Sequence, residues 1–202
     1  MRKSLLVLCL SLLTLPVAAA RADSWLPPSP KIYASTDGSK PLKVVPGQGI
    51  IANASWVTMA PDGTVQEAKP FPLVNIPVTA LVPGRFIPYF VTLNTYSKVG
   101  YEHSLVIYRD NGEVVRDFKL EDLLTPKEIK EHALQTVASR FWDASAKFDF
   151  VIPKVERTEE GGQGRKYQAE DEENVQLHIV FPWGKQMAVR LKDGEVTVLK
   201  EA

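Results

Sequence analysis

The chain has 202 residues, with 24 Lys+Arg against 24 Asp+Glu, three His and a single cysteine. Balanced charge gives no electrostatic case for a nucleic-acid partner or an anionic membrane surface, and one cysteine excludes a disulfide-stapled scaffold. The length suits one domain able to bury a real core.

Arg2 and Lys3 open the chain, an apolar stretch follows over residues 5–17, and Ala18-Ala19-Ala20-Arg21-Ala22 places small residues before Asp23. This order reads as a cleavable secretory signal over residues 1–22, with an apolar stretch shorter than the ~20 residues a membrane span needs. Cys9 follows Leu8 inside that stretch, away from the cleavage point, so it is not placed for lipid attachment. Cleavage removes the cysteine together with Arg2, Lys3 and Arg21 and leaves 21 basic against 24 acidic residues. The expected product is a single β-rich domain over residues 23–202, periplasmic or secreted, with no membrane span.

Trp25-Leu26-Pro27-Pro28-Ser29-Pro30 reads as an extended lead-in, because its prolines remove backbone donors and fix φ. From there to Lys119, short β-branched or aromatic runs alternate with Gly, Pro, Asp and Asn, the pattern of strands and tight turns. Three hairpins stand out. They are Trp56-Val57-Thr58-Met59 before Asp62-Gly63, Leu105-Val106-Ile107-Tyr108 before Asn111-Gly112, and Met187-Ala188-Val189-Arg190 before Asp193-Gly194. Such dipeptides supply the positive φ a tight hairpin requires. Weaker turns at Asp37-Gly38 and Pro83-Gly84 precede the first two hairpins, and the resulting spacing, in the range of 40 to 50 residues, is that of propeller blades.

Between the second and third hairpins the pattern changes to a helix over residues 125–142. Thr125, Pro126 and Glu128 combine an N-cap hydroxyl, a first-position proline and a capping-box carboxylate, while Leu124 and Ile129 are spaced as a hydrophobic staple. Ile129, Ala133, Leu134, Val137, Ala138 and Phe141 then share one face. Residues 147–155 alternate as a strand. Residues 156–174 carry Glu156, Glu159, Glu160, Glu170, Asp171, Glu172 and Glu173 with three glycines and one aromatic, the composition of an acidic loop that buries little. Val175, Leu177, Ile179 and Phe181 restore strand alternation. The fold class is mainly β: antiparallel blade-like meanders, as an incomplete propeller or an open sheet, with one inserted amphipathic helix.

Tyr89-Phe90-Val91-Thr92-Leu93-Asn94-Thr95-Tyr96-Ser97-Lys98-Val99-Gly100-Tyr101-Glu102-His103, with Leu105-Val106-Ile107-Tyr108 and Phe118-Lys119-Leu120-Glu121-Asp122-Leu123-Leu124, resembles a segment of uncharacterised exported bacterial proteins built from propeller-like β-meander repeats. The resemblance covers residues 86–142 and implies fold and compartment. It brings no catalytic residues with it.

No catalytic constellation emerges from the residues themselves. Glu102-His103-Ser104 places acid, base and hydroxyl together, but in a strand Glu102 and Ser104 would share one side and His103 the other, and no Gly-x-Ser-x-Gly elbow occurs. Glu128 and His132 stand one helical turn apart, two ligands where a zinc site takes three or four. The acidic run lacks the alternating spacing of a calcium loop, His178 reads as an outward strand residue, and Asn53-Ala54-Ser55 is a short sequon match. No metal and no cofactor is expected.

What remains is surface recognition. A loop between strong strands carries Asn94, Tyr96, Tyr101, Glu102 and His103, residues suited to binding a protein, peptide or glycan, although its tyrosines could equally cap the core edge. The expected role is a non-enzymatic binding module. A hydrolase with an unrecognised site and a structural envelope component are the alternatives. N-terminal sequencing of the exported product is expected to begin near Asp23, and an intact Met1 would contradict the signal reading.

Overall fold

The computed structural model describes residues 29–48, 51–84, 87–95, 102–135, 139–151 and 174–202. Residues 1–22, the acidic run up to Glu173, and Tyr96 and Tyr101 therefore lie outside the described residues. Among the described residues, three antiparallel meanders make an architecture that is mainly β and does not close into a barrel. The first contains β1 (Lys31–Tyr33), β2 (Leu42–Pro46), β3 (Ala52–Met59) and β4 (Val65–Glu67), with β5 (Phe71–Leu73) continuing the fourth position along the other half of β3. The second runs β6 (Thr79–Leu81), β7 (Tyr89–Leu93), β8 (Leu105–Arg109) and β9 (Val114–Phe118). The third runs β12 (Lys147–Val151), β13 (Gln176–Val180), β14 (Gln186–Arg190) and β15 (Val196–Lys200).

The second sheet is packed on both faces. Leu93, Val91, Leu105 and Ile107 point into one core with Leu177, Ile179, Met187 and Val189 of the third sheet. Phe90, Val106 and Tyr108 point the other way, against Leu42, Val44, Ala54 and Phe71 of the first. This is why β7 and β8 read as continuous apolar runs rather than as half-polar strands. Aromatic rings fill the interface with the first sheet: Phe90 stacks on Tyr108 at 4.9 Å and meets Trp56 edge-on at 5.6 Å. At its margin Lys40 lies over the Trp56 ring at 4.4 Å and donates to Asp110 Oδ2, while the Trp56 indole donates to the Asp110 carbonyl at 2.7 Å.

All three expected hairpins are present, each joining the third strand of its sheet to the fourth. Each is tied by the same contact, in which the Asx side chain accepts from the amide two residues on: Thr64 to Asp62, Glu113 to Asn111 and Glu195 to Asp193, all between 2.9 and 3.0 Å. Only the glycine of each pair takes positive φ, at +84°, +87° and +76° for Gly63, Gly112 and Gly194. The turns are therefore longer loops closed by a left-handed glycine rather than two-residue turns.

The inserted segment departs from the expected single helix over residues 125–142. A short helix α1 (Leu120–Leu123) precedes α2 (Pro126–His132), which starts as read, with the Thr125–Glu128 capping box formed in both directions. The helix stops at His132. Ala133 turns to φ −81°, ψ +113°, and β10 (Leu134–Gln135) pairs antiparallel with β11 (Arg140–Phe141). Tertiary contacts override the helical period here: the Arg140 amide bonds the Thr95 carbonyl at 3.2 Å and the buried Trp142 indole reaches the Asn94 carbonyl at 3.2 Å. Leu134, placed by the period on the buried face, is 65% exposed. No described helix is long and apolar enough to cross a membrane.

The turn glycines differ in what they touch. A Cβ on Gly112 would come within 2.5 Å of Phe71 and one on Gly194 within 2.4 Å of Arg116, whereas Gly63 has nothing within 4 Å. Alanine at Gly63 should cost the ~1–2 kcal/mol of left-handed strain alone. At Gly112 a further ~1–3 kcal/mol of overpacking is expected, because Phe71 cannot retreat from a filled core. Urea unfolding of the two variants checks the difference, and equal losses would contradict this packing.

Candidate functional site

Of the residues expected to form a recognition loop, Asn94 has a different role. It is 2% exposed, its amide donates to the Ile76 carbonyl at 2.9 Å, and its own carbonyl accepts from Trp142. Asn94 is thus a tie between the second sheet and the inserted segment, not a side chain offered to a partner. Buried amides are retained where both backbone neighbours need a donor or acceptor. Glu102 is exposed and His103 half-buried, just ahead of β8.

His103 is held from two sides. Its Nδ1 lies 2.6 Å from Asp117 Oδ2 on β9, and its carbonyl accepts from the Asn75 amide at 3.4 Å. Burial raises the Asp117 carboxyl above its ordinary value, against the opposing hydrogen bond and charge of His103, and Asp122 and Glu102 add to the rise. With Asp117 ionised, Nδ1 donates to it, the contact of a base and its orienting acid. Ser104, however, is fully buried and its backbone belongs to the ladder, accepting from Asn94 and donating to Phe118. The acid, base and hydroxyl of residues 102–104 therefore do not converge. Nothing local in the sequence marks Asp117. The Asn111-Gly112 turn brings the stretch around 117 alongside 103–106, but the bulge between Ile107 and Tyr108 sets Asp117 opposite Val106.

Nearby concavity lies instead beside α2. An open groove of about 740 Å³ runs between α2 and the β10–β11 pair. Its apolar lining comes from Pro126, Ile129, Ala133 and Leu134, and its charged lining from Glu121, Lys130, Glu131, His132 and Arg140. Arg140 Nη1 donates to Glu121 Oε1 at 2.9 Å within that lining. The groove adjoins the expected recognition loop, since Thr95 and Asn94 are the residues bonded to Arg140 and Trp142.

α2 is fixed against the third sheet by side chains the sequence offered for other work. Glu128 and His132, one turn apart, go to different partners: Glu128 pairs with Lys185 at 2.9 Å, and the His132 ring stacks on Trp183 at 4.3 Å and 6°. Trp183 in turn stacks on Phe181 at 4.4 Å. No group of three or more His, Cys, Asp or Glu side chains among the described residues could hold a metal ion. His178 stands on the outward row of β13, opposite Asp149 and Ala188, with Nε2 3.2 Å from Gln176 Oε1. No family model matches this chain, and no curated protein or solved structure matches it.

The Lys185–Glu128 pair sets a testable demand on the groove wall. Burial by itself raises the Glu128 carboxyl, but hydrogen bonds from Lys185 and Thr125 and the Lys185 charge outweigh it, and the net shift is downward. A carboxyl lowered on folding stabilises above its unfolded value of ~4.3, and that stability is lost as pH falls through the folded value. Glu128→Gln leaves the Lys185 ammonium, only 5% exposed, without its counter-charge. The expected loss at neutral pH is about 3 kcal/mol, shrinking as the medium is acidified below pH ~4. Urea midpoints at neutral and acid pH measure both; a loss independent of pH would contradict this account.

Proposed function

We propose that this chain is an exported, non-enzymatic binding module that takes a polypeptide partner in the groove between α2 and the β10–β11 pair. The groove carries the reading. It is a concavity built among the described residues of the segment inserted between the second and third sheets, and binding residues are commonly displayed on such segments.

The chemistry of its lining favours a polypeptide over the other partners considered. Acidic and basic side chains both accompany the apolar lining, which suits a peptide carrying an apolar side chain between polar ones and disfavours a polyanion or a polycation. Sugar recognition commonly uses flat aromatic faces, and here the one ring in the lining, His132, is already stacked on Trp183. Leu134 is the natural anchor, a large apolar side chain held out on a short strand. The opening residues, which read as a secretory signal, support export. The hydrolase reading has in its favour the His103–Asp117 pair, but neither residue lines the groove.

Screening the purified chain against a random peptide array and a glycan array in parallel tests the reading. Peptide binding is expected, and Leu134→Glu should weaken it about tenfold or more while the melting temperature stays within a degree or two, since Leu134 is exposed. Glycan binding alone, or peptide binding indifferent to Leu134→Glu, would overturn the proposal.

A further inference from the structure

The last hairpins of the first two sheets correspond through their ladders. In the second, Tyr108 stands opposite Val114 and Val106 opposite Asp117. In the first, Met59 stands opposite Val65 and Val57 opposite Glu67. Met59 and Val57 thus occupy the places of Tyr108 and Val106, and Glu67 that of Asp117. The outcome at the two faces is opposite. Tyr108 and Val106 are fully buried because the first sheet covers them, whereas Met59 is 75% and Val65 64% exposed. Ile32 and Val45 lie on the same outward face, on the ladder positions opposite Lys43 and Asn53, and are exposed as well.

At the middle of this face stand one cation and one anion. Lys43 Nζ binds Glu67 Oε1, and Ser55 Oγ donates to Glu67 Oε2 at 3.3 Å. A face with both signs at its centre and apolar side chains on either flank is self-complementary: turned over by a two-fold rotation, it sets Lys43 of each copy against Glu67 of the other. A one-signed face would repel its own image, and a wholly polar one would bury no apolar area. The outward face of the third sheet is more polar, its ladder rows carrying Asp149, His178, Gln176, Gln186 and Arg190 with Val151, Val180 and Ala188 among them.

We propose that the outward face of the first sheet seats the same face of a second copy of this chain, in a two-fold dimer centred on Lys43 and Glu67. The contact repeats the layer-on-layer packing already used twice within the chain, with Met59, Val65, Val45 and Ile32 removed from water. It is independent of the groove beside α2.

Sedimentation equilibrium of the purified chain, from low micromolar to several hundred micromolar, reads the assembly directly. A dimer mass is expected at the upper end. Lys43→Glu places like charges at the centre and should raise the dimer dissociation constant roughly tenfold or more, as should Met59→Lys. The double reversal Lys43→Glu with Glu67→Lys restores both pairings and should return the dissociation constant to near its original value. All three positions are solvent-facing, so circular dichroism and melting temperature should change little; if Lys43→Glu does not fold, Met59→Lys carries the test. A chain that stays monomeric at every concentration, which would leave a different protein as the occupant of this face, overturns the proposal. So does a dimer unmoved by both single variants, or one that the double reversal fails to restore.

Discussion

Burial of the second sheet on both faces is the constraint from which the rest of the structure follows. Tyr89, Phe90, Val91, Thr92 and Leu93 are all buried, as are Leu105, Val106, Ile107 and Tyr108. Each fully buried large apolar side chain is worth ~1.5–3 kcal/mol, so these two strands form the main reservoir of stability. A two-faced sheet also commits its neighbours. The first sheet must present Leu42, Val44, Ala54 and Phe71 to one side, and the third must present Leu177, Ile179, Met187 and Val189 to the other. Polar groups caught between the layers need partners inside them. The Tyr108 hydroxyl accepts from the Val74 amide at 3.1 Å, and burial pushes its pKa up to about 12, so it stays protonated in any physiological medium.

The turns convert this layering into a repeat. Gly112 sits on Phe71 of the first sheet and Gly194 on Arg116 of the second, so the tip of each later hairpin packs on the layer before it. A side chain at either position would hold the layers apart. This gives the glycines two functions, a left-handed backbone and a close approach, and it explains why the turn motif recurs at a layer spacing rather than at random. The first hairpin has no layer before it, and Gly63 keeps the backbone function alone.

Most of this layering is legible in the sequence, because it depends on local chemistry. Asx-Gly turns, flanking β-branched runs and the change of period at Thr125-Pro126 are all short-range signals, and each marks an element that is present. The end of α2 is not legible in the same way. The apolar residues beyond His132 satisfy a helical period, but Trp142 and Arg140 are claimed by the carbonyls of Asn94 and Thr95, more than forty residues away in the chain. One long-range pair of bonds decides the local structure there, and no window of sequence contains it. Asn94 illustrates the same limit for the candidate site. Its type suits a binding loop or a buried backbone tie equally well, and only the positions of Ile76 and Trp142 distinguish them.

The site is less legible than the fold for a related reason. Its groove is built where a helix ends early, so the feature that creates the concavity is the one that sequence periodicity conceals. Had α2 continued, Leu134 would face the core, and no apolar strip would line an open cleft. Stopping at His132 turns Leu134 outward while Glu128 and His132 hold the helix to Lys185 and Trp183. The wall is therefore fixed by contacts to the third sheet and the opposite side by contacts to the second. A groove held between two layers in this way shares Ile129 and Ala133 with the core between the second and third sheets. Its lining can vary at Lys130, Glu131 and Leu134 with little effect on the packing that holds it in place.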